Sequence, residues 1–287
     1  IDGKFINSES GKTFASINPS NGKMLGYFQE SNKKDLDNAI KSASKGFKIW
    51  SNYPAPKRGE ILFNVSKLLK ENKEKLSKLV TMEMGKIISE ARGDVQEAID
   101  VFEYMGGEGR RLFGVTTPSE LRNKFCMTLR RPLGITALIT PWNFPIAIPS
   151  WKISASLICG NSIIFKPSSD TPLCAFELVK ILDEAGLPDG VINLVTGKGE
   201  ELGKEIIQNK NINGISFTGS REVGEHILKN SNVNRVGLEL GGKNPIIIMD
   251  DANLDLALDG VIWGGFGTTG QRCTAASRII VHKDIKK

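Results

Sequence analysis

Near the end of the chain, "GGFGTTGQRCTAASR" (residues 264–278) sets Cys273 among Gly270, Gln271, Arg272, Thr274, Ala275 and Ala276. A cysteine kept for packing usually has bulky apolar neighbours, whereas small ones leave the sulfur approachable. A thiolate there would be a nucleophile toward an electrophilic carbon; packing as a small hydrophobe is the competing use. Two further polar residues stand at the ends of apolar runs. In "TPWNFPIAIPSWK", Asn143 is held between Trp142 and Phe144. A rigid amide at that point suits stabilisation of a developing oxyanion or, equally, capping of the helix that follows. In "LELGGKNP", Glu239 closes an apolar strand ahead of two glycines. Partial desolvation would raise its pKa and suit a base near neutrality; a strand-end acid paired with a lysine is the alternative.

Two more segments offer groups that hold ligands. "FKPSSDTP" places Lys166 at a strand end, followed by Pro167, Ser168 and Ser169. A cation beside hydroxyls fits a ribose or its phosphate, and a solvated surface turn fits the same residues. "SFTGSREVG" puts Gly219, Ser220, Val223 and Gly224 where a strand gives way to a helix. There a phosphate can approach backbone N–H groups at the positive end of the helix dipole. The spacing is neither that of a dinucleotide fingerprint nor that of a P-loop, and a glycine-closed turn explains it as well.

The elements that must position these groups are legible as alternating patterns. Residues 1–30 read as short strands broken by Gly, Asn and Pro turns. Asp35 caps a helix running through Trp50, residues 56–84 form one or two amphipathic helices, and another helix runs from about Ser89 to Leu112. Residues 113–131 read as two extended pieces around a polar turn. From 133 onward "ITALIT", "SIIFK", "VINLVTG", "GISFTGS" and "RVGLELGG" alternate with helical runs. That alternation means βαβ units and a parallel sheet covered on both faces, with ligands beyond the carboxyl ends of the strands. After Gly242 a strand and a long helix could open a second α/β unit.

Bulk properties narrow the function classes. A chain of 287 residues suits roughly two domains. The net charge of +6 arises from lysines interleaved with acids, as in "KKDLDNAIKSASK", a solvated helix surface rather than a nucleic-acid patch. With only two histidines, His226 and His282, a zinc site or a histidine triad is disfavoured and a carboxylate is the expected base. Four dispersed cysteines without a C-x-x-C pair fit a reducing cytoplasm. No uncharged apolar run is long enough for a membrane span, and no secretory pattern opens the chain.

Taken together and in order, "TPWNFP", "FKPSSDTP", "SFTGSREVG", "LELGGKNP" and "GQRCTA" resemble the aldehyde dehydrogenase superfamily across essentially the whole chain. The resemblance implies a Rossmann-like open parallel sheet with helices on both faces, a protruding β-hairpin and the start of a second α/β catalytic domain. It divides the chain into a dinucleotide-binding domain (1–112 and 132–240), an oligomerisation hairpin (113–131) and the N-terminal part of a catalytic domain (241–287). Cys273 matches the nucleophile that forms a thiohemiacetal and then a thioester. Asn143 matches the oxyanion amide, and Glu239 the base that activates water; Glu239 also favours the non-acylating branch over transfer to coenzyme A.

The cofactor surface implied comprises Ile139, Thr140, Pro141, Trp142, Lys166, Ser168, Ser169, Gly199, Phe217, Gly219, Ser220, Val223, Leu240 and Gly241. Relatives that prefer NAD commonly carry an acid where this chain has Ser169, with Asp170 one step later, so NADP is expected, with NAD also usable. No metal is implied. Within the superfamily the resemblance is greatest to enzymes acting on α-ketoglutaric semialdehyde, with succinic semialdehyde next. For an anionic substrate tail, Arg272, Arg110 and Arg111 are candidate partners, surface ion pairing being the competing role. A homodimer or homotetramer is expected of the intact protein. Relatives continue past the point where this chain stops, so it reads as part of a longer enzyme. A non-catalytic dinucleotide-binding protein on the same fold, and a thiol acyl transferase, remain the competing classes.

Overall fold

Leu36, Ala39, Ile40, Ala43 and Trp50 recur at helical spacing and are all buried along one face of α1 (Lys33–Trp50). The cap of this helix is Asn32, not Asp35. The Asn32 side chain accepts from the Lys34 and Asp35 amides, and Asp35 reaches back to the Asn32 amide at 2.8 Å, a reciprocal capping box. The computed structural model describes residues 1–233 and 235–286; Asn234, within the 132–240 segment, and Lys287, at the end of 241–287, lie outside the described residues.

Ahead of α1, β1 (Thr13–Ile17) and β2 (Met24–Gln29) pair antiparallel. The 56–84 region is two helices, α2 (Ala55–Glu71) and α3 (Lys73–Met84), separated at Asn72. The next, α4 (Ile88–Glu108), stops short of Leu112 because Gly106, Gly107 and Gly109 cluster at its end. Residues 113–131 hold only a short antiparallel rung, β3 (Thr116–Thr117) against β4 (Cys126–Met127).

Strand and helix then alternate: β5 (Ile135–Ile139), α5 (Ala147–Ile158), β6 (Ser162–Lys166), α6 (Pro172–Glu184), β7 (Ile192–Leu194) and a π-helical turn Gly199–Gly203 running into α7 (Lys204–Ile207). After these come β8 (Gly214–Gly219), α8 (Arg221–Asn230) and β9 (Val236–Leu240). The five strands form one parallel sheet in the order β7-β6-β5-β8-β9. The chain leaves β5 in one direction and returns to β8 on its other side, so a crevice opens at their carboxyl ends. Alternation along the strands feeds two cores. Leu138, Ile163 and Phe165 pack with α2 to α6, while Ala137, Ile164, Ile215 and Phe217 pack with α1, α7 and α8.

Glu83, at the end of α3, fixes the start of α6. Buried, it accepts from the Leu173 and Cys174 amides at 2.7 Å each and from the Ser16 hydroxyl at 2.6 Å. It thereby satisfies amide donors that the first turn of a helix cannot pair internally. After β9, β10 (Asn244–Ile248), α9 (Leu254–Phe266) and β11 (Ala276–Val281) make a separate parallel pair with its crossover helix. None of the α9 residues is buried.

Candidate active site

The chain leaves β5 through Thr140, Pro141 and Trp142 to Asn143, which is half-buried. Asn143 does not cap α5: the cap position is Ile146, and no side chain serves it. Its amide instead donates from Nδ2 to the Gln271 carbonyl at 2.8 Å, two residues before Cys273. An amide nitrogen has two N–H groups, so one fixes the side chain and the second is free to meet an oxyanion. Asn143 Oδ1 is buried without a protein partner.

Cys273 is exposed, which removes the packing use of the thiol. It follows a turn, Gly267–Gly270, in which Thr268 (φ 52°, ψ 41°) and Thr269 (φ 55°, ψ 25°) are both left-handed. For β-branched residues this costs on the order of 1–3 kcal/mol each and persists only where surroundings over-determine it. Several contacts do so. The Thr268 amide donates to Glu90 Oε1 at 2.7 Å. Arg272 donates to the Trp263 carbonyl at 2.7 Å and lies over the Trp263 ring. Asn244 Nδ2 donates to the Cys273 carbonyl at 2.7 Å. No helix begins at Cys273, since the next element is β11; a helix dipole acting on the thiol, one of the routes open from sequence, is not supplied here.

Glu239 sits on β9 opposite Thr218 of β8. With Ser216 and Thr218 it faces Trp151 and Lys152 of α5 across a groove of about 730 Å³ that Cys273 also lines. The burial expected around Glu239 is absent: the residue is exposed on the open face of β9. Lys152 donates to Ser216 Oγ at 2.8 Å. Burial lowers its pKa to about 8, and the Glu239 carboxylate acts in the opposite direction. Lys152 was missed by motif reasoning. Its signal is the phase of α5, in which Ile148, Trp151, Lys152 and Ala155 fall at i, i+3, i+4 and i+7 and all line the groove. Among the described residues Lys152 and Arg235 are the cations lining this groove, whereas Arg111 pairs with Glu108 and Arg272 is engaged with Trp263.

The remaining residues collect at the carboxyl edge of the sheet, where Ile139 neighbours both Lys166 and Phe217, and Gly219 neighbours Leu240. Lys166 is buried rather than solvated. Desolvation lowers its pKa to about 8, with Asp170 opposing. Ser168 Oγ donates to the Asp170 carboxylate at 3.0 Å, and Ser169 is half-buried. Thr140 Oγ1 is buried with no partner. Ser220 caps α8 by accepting from the Val223 amide at 3.3 Å, so that amide is already engaged. A Cβ on Gly219 would come within 2.4 Å of the Phe217 ring, and one on Gly224 within 2.7 Å of Leu240. Both glycines therefore serve close packing. Gly199 is exposed at the start of the π-helical turn, and Gly241 is exposed after Leu240.

Cys273 and Glu239 thus share a groove, and Asn143 is tied to Gln271, two residues before Cys273, without lining that groove. Gly219, Ser220, Val223 and Lys166 lie along the sheet edge outside it. A buried cation and an orphaned buried hydroxyl at the crevice fit a polyanionic dinucleotide. A second cavity, of about 460 Å³ and lined by Phe5, Phe28 and Phe176, contains none of these groups.

The aldehyde dehydrogenase family profile matches residues 5–287. The chain belongs to the aldehyde dehydrogenase family. An α-ketoglutarate semialdehyde dehydrogenase of Haloferax volcanii is 44% identical over 99% of this chain and 60% of its own length. One from Bacillus subtilis is 38% identical over 99% of the chain and 59% of its length. Among solved structures, betaine aldehyde dehydrogenase of Staphylococcus aureus in complex with NAD⁺ superposes with a TM-score of 0.97 at 38% identity. That match covers 100% of this chain and 58% of the other. An NADP-dependent enzyme of E. coli gives a TM-score of 0.95 at 35% identity over 99% of this chain and 60% of the other. This aldehyde dehydrogenase chain therefore spans about three-fifths of the length of these relatives. No helix among its described residues is long and apolar enough to cross a membrane.

Proposed function

We propose that the protein carrying this chain oxidises a semialdehyde of the α-ketoglutaric semialdehyde type to its carboxylic acid. The reading rests chiefly on an exposed thiol three residues past a strained turn, which shares a groove with a carboxylate and whose segment is tied to the Asn143 amide through the Gln271 carbonyl. The Cys273 thiolate attacks the aldehyde carbon, forming the C–S bond as the carbonyl pair moves to oxygen. The free N–H of Asn143 receives that oxyanion. A nicotinamide dinucleotide held at the sheet edge by Lys166 and Thr140 would supply the acceptor for the hydride that leaves this carbon. Glu239 takes a proton from the water that attacks the resulting thioester, and the C–S bond breaks to release acid and thiolate. The test is appearance of the reduced-nicotinamide absorbance across an aldehyde panel with each cofactor. Turnover of the five-carbon keto-aldehyde at the highest kcat/KM supports the reading, a succinic semialdehyde preference revises the substrate, and no signal with any aldehyde rejects the activity. Replacing Asn143 with alanine should lower kcat about 10²- to 10³-fold, the usual loss for one oxyanion donor, with cofactor affinity unchanged in fluorescence titrations.

NADP is the proposed cofactor, with NAD also accepted. Relatives of both kinds exist, the S. aureus enzyme with NAD⁺ and the E. coli enzyme named for NADP. Lys166 and Ser169 would face the 2′-phosphate, while Ser168 holds Asp170. Because the free enzyme's Lys166 titrates at about 8, its charge fades as pH rises. KM for NADP⁺ should therefore climb about ten-fold between pH 7 and 9 while KM for NAD⁺ stays nearly level. Parallel profiles for the two cofactors would refute this. The same depressed pKa means the unfolded chain binds more protons between about 8 and the ordinary 10.5, so this residue's contribution to stability rises with pH across that window and is lost as pH falls through 8.

We assign 1–112 and 132–240 to a dinucleotide-binding domain, 113–131 to an oligomerisation hairpin of a homodimer or homotetramer, and 241–287 to the beginning of a catalytic domain. Free cysteines at all four positions fit a cytoplasmic location.

A further inference from the structure

Helix α4 contains none of the five family-like motifs, yet it touches both segments that carry the proposed chemistry. Glu90 and Asp94 are four residues apart and so project from the same face, about 6 Å apart along the axis. Glu90 Oε1 accepts from the amide of Thr268, in the strained turn before Cys273, at 2.7 Å. Asp94 Oδ1 accepts from the amide of Ala147, at the start of α5, at 2.7 Å. Asp94 Oδ2 pairs at 3.0 Å with Lys86, both side chains being fully buried. The Lys86 ammonium in turn lies 3.7 Å from the ring centroid of Phe144, the neighbour of Asn143. The Asn143–Gln271 hydrogen bond closes the circuit between the two turns. Two segments more than a hundred residues apart in sequence (|i−j| of 128 for that bond) are thereby hung from one rigid rod.

We propose that Glu90 and Asp94 are positioning residues that set the register of the Asn143 amide against the Cys273 thiol. The inference rests on the functional reading above. Neither carboxylate needs to reach substrate. Asp94 holds the amide turn from below through Ala147 and Lys86, and Glu90 holds the nucleophile turn in a backbone conformation it would otherwise leave. If Glu90 lets go, Thr268 and Thr269 can relax toward ordinary backbone angles. Gln271 then withdraws its carbonyl from Asn143, and the oxyanion donor and the sulfur no longer meet one carbonyl group. A misplacement of about 1 Å at a reacting centre can cost on the order of 100-fold.

The experiment uses the full-length protein and Glu90, because removing Asp94 would strand Lys86 in the core and risks unfolding. Glu90→Ala should lower kcat about 10- to 100-fold while cofactor Kd stays within about two-fold. Glu90→Gln, which keeps a carbonyl acceptor for the Thr268 amide, should stay near wild type. The double variant with Asn143→Ala should be no slower than Asn143→Ala alone, since both changes remove the same contact. Wild-type kcat in Glu90→Ala, an additive double variant, or a glutamine variant as slow as the alanine one would each overturn the proposal. Hydrogen exchange tests the coupling without any turnover: in Glu90→Ala, amides of 141–147 and 266–273 should speed up together. Faster exchange in 266–273 alone would overturn it, whereas an inactive wild type with coupled exchange would count only against the assigned activity.

Discussion

Cys273→Ala should eliminate aldehyde-dependent formation of reduced nicotinamide, a loss of at least about 10⁴-fold in kcat. Cofactor binding should persist, because Lys166, Thr140 and the sheet edge belong to other elements. No other thiol can substitute. Cys174 is fully buried, and burial together with the adjacent Glu83 pushes its pKa well above the ordinary value. Cys159 caps the far end of α5, and Cys126 lies on β4. The measurement is a stopped-flow trace at the reduced-nicotinamide band. Any single-turnover signal from Cys273→Ala would show that hydride leaves an intermediate that is not bound to this sulfur, and the covalent route would have to be abandoned.

Glu239→Gln should separate the two halves of the reaction. Thioester formation does not require the carboxylate, so a burst of about one reduced nicotinamide per Cys273 is expected, followed by turnover slowed about 10²- to 10⁴-fold. The acyl-enzyme should be visible by mass spectrometry as a stoichiometric adduct on the peptide containing Cys273. Glutamine retains the size and one acceptor of the side chain, so the strand pairing of β9 with β8 should survive. Unchanged steady-state turnover would remove Glu239 from the hydrolytic role. Lys152, in the same groove with a pKa of about 8, would then be the next base to test, and its use would appear as activity rising through pH 8.

Much of this arrangement was legible in the residues, for local physical reasons. Strands β5, β6, β8 and β9 are short apolar runs bounded by glycine, proline or polar turns, and α1 and α5 show helical periodicity; both signals belong to windows of ten to twenty residues. The errors were local too. Asn32 rather than Asp35 caps α1, because both residues belong to the same capping box and differ only in position within it. Three glycines cut α4 short of Leu112. Motif reasoning also singled out Cys273, Asn143 and Glu239, since small neighbours, bulky flanks and strand ends can be read along the chain.

What sequence alone determined, then, is the set of elements and which residues stand at their ends. Tertiary structure decided the environments. From sequence Lys166 could equally be a ligand-holding cation or a solvated lysine; it is buried, because β6 is an interior strand between β7 and β5 with helices packed on both faces. Glu239 reads as partly shielded yet is exposed, because the described residues leave one face of β8 and β9 uncovered beside α5. Glu90 and Asp94 carry no motif at all, and only the packing of α4 against both turns gives them partners. Burial, pKa and hydrogen-bond partners depend on atoms brought close from distant parts of the chain, and no local pattern of residue types encodes that proximity.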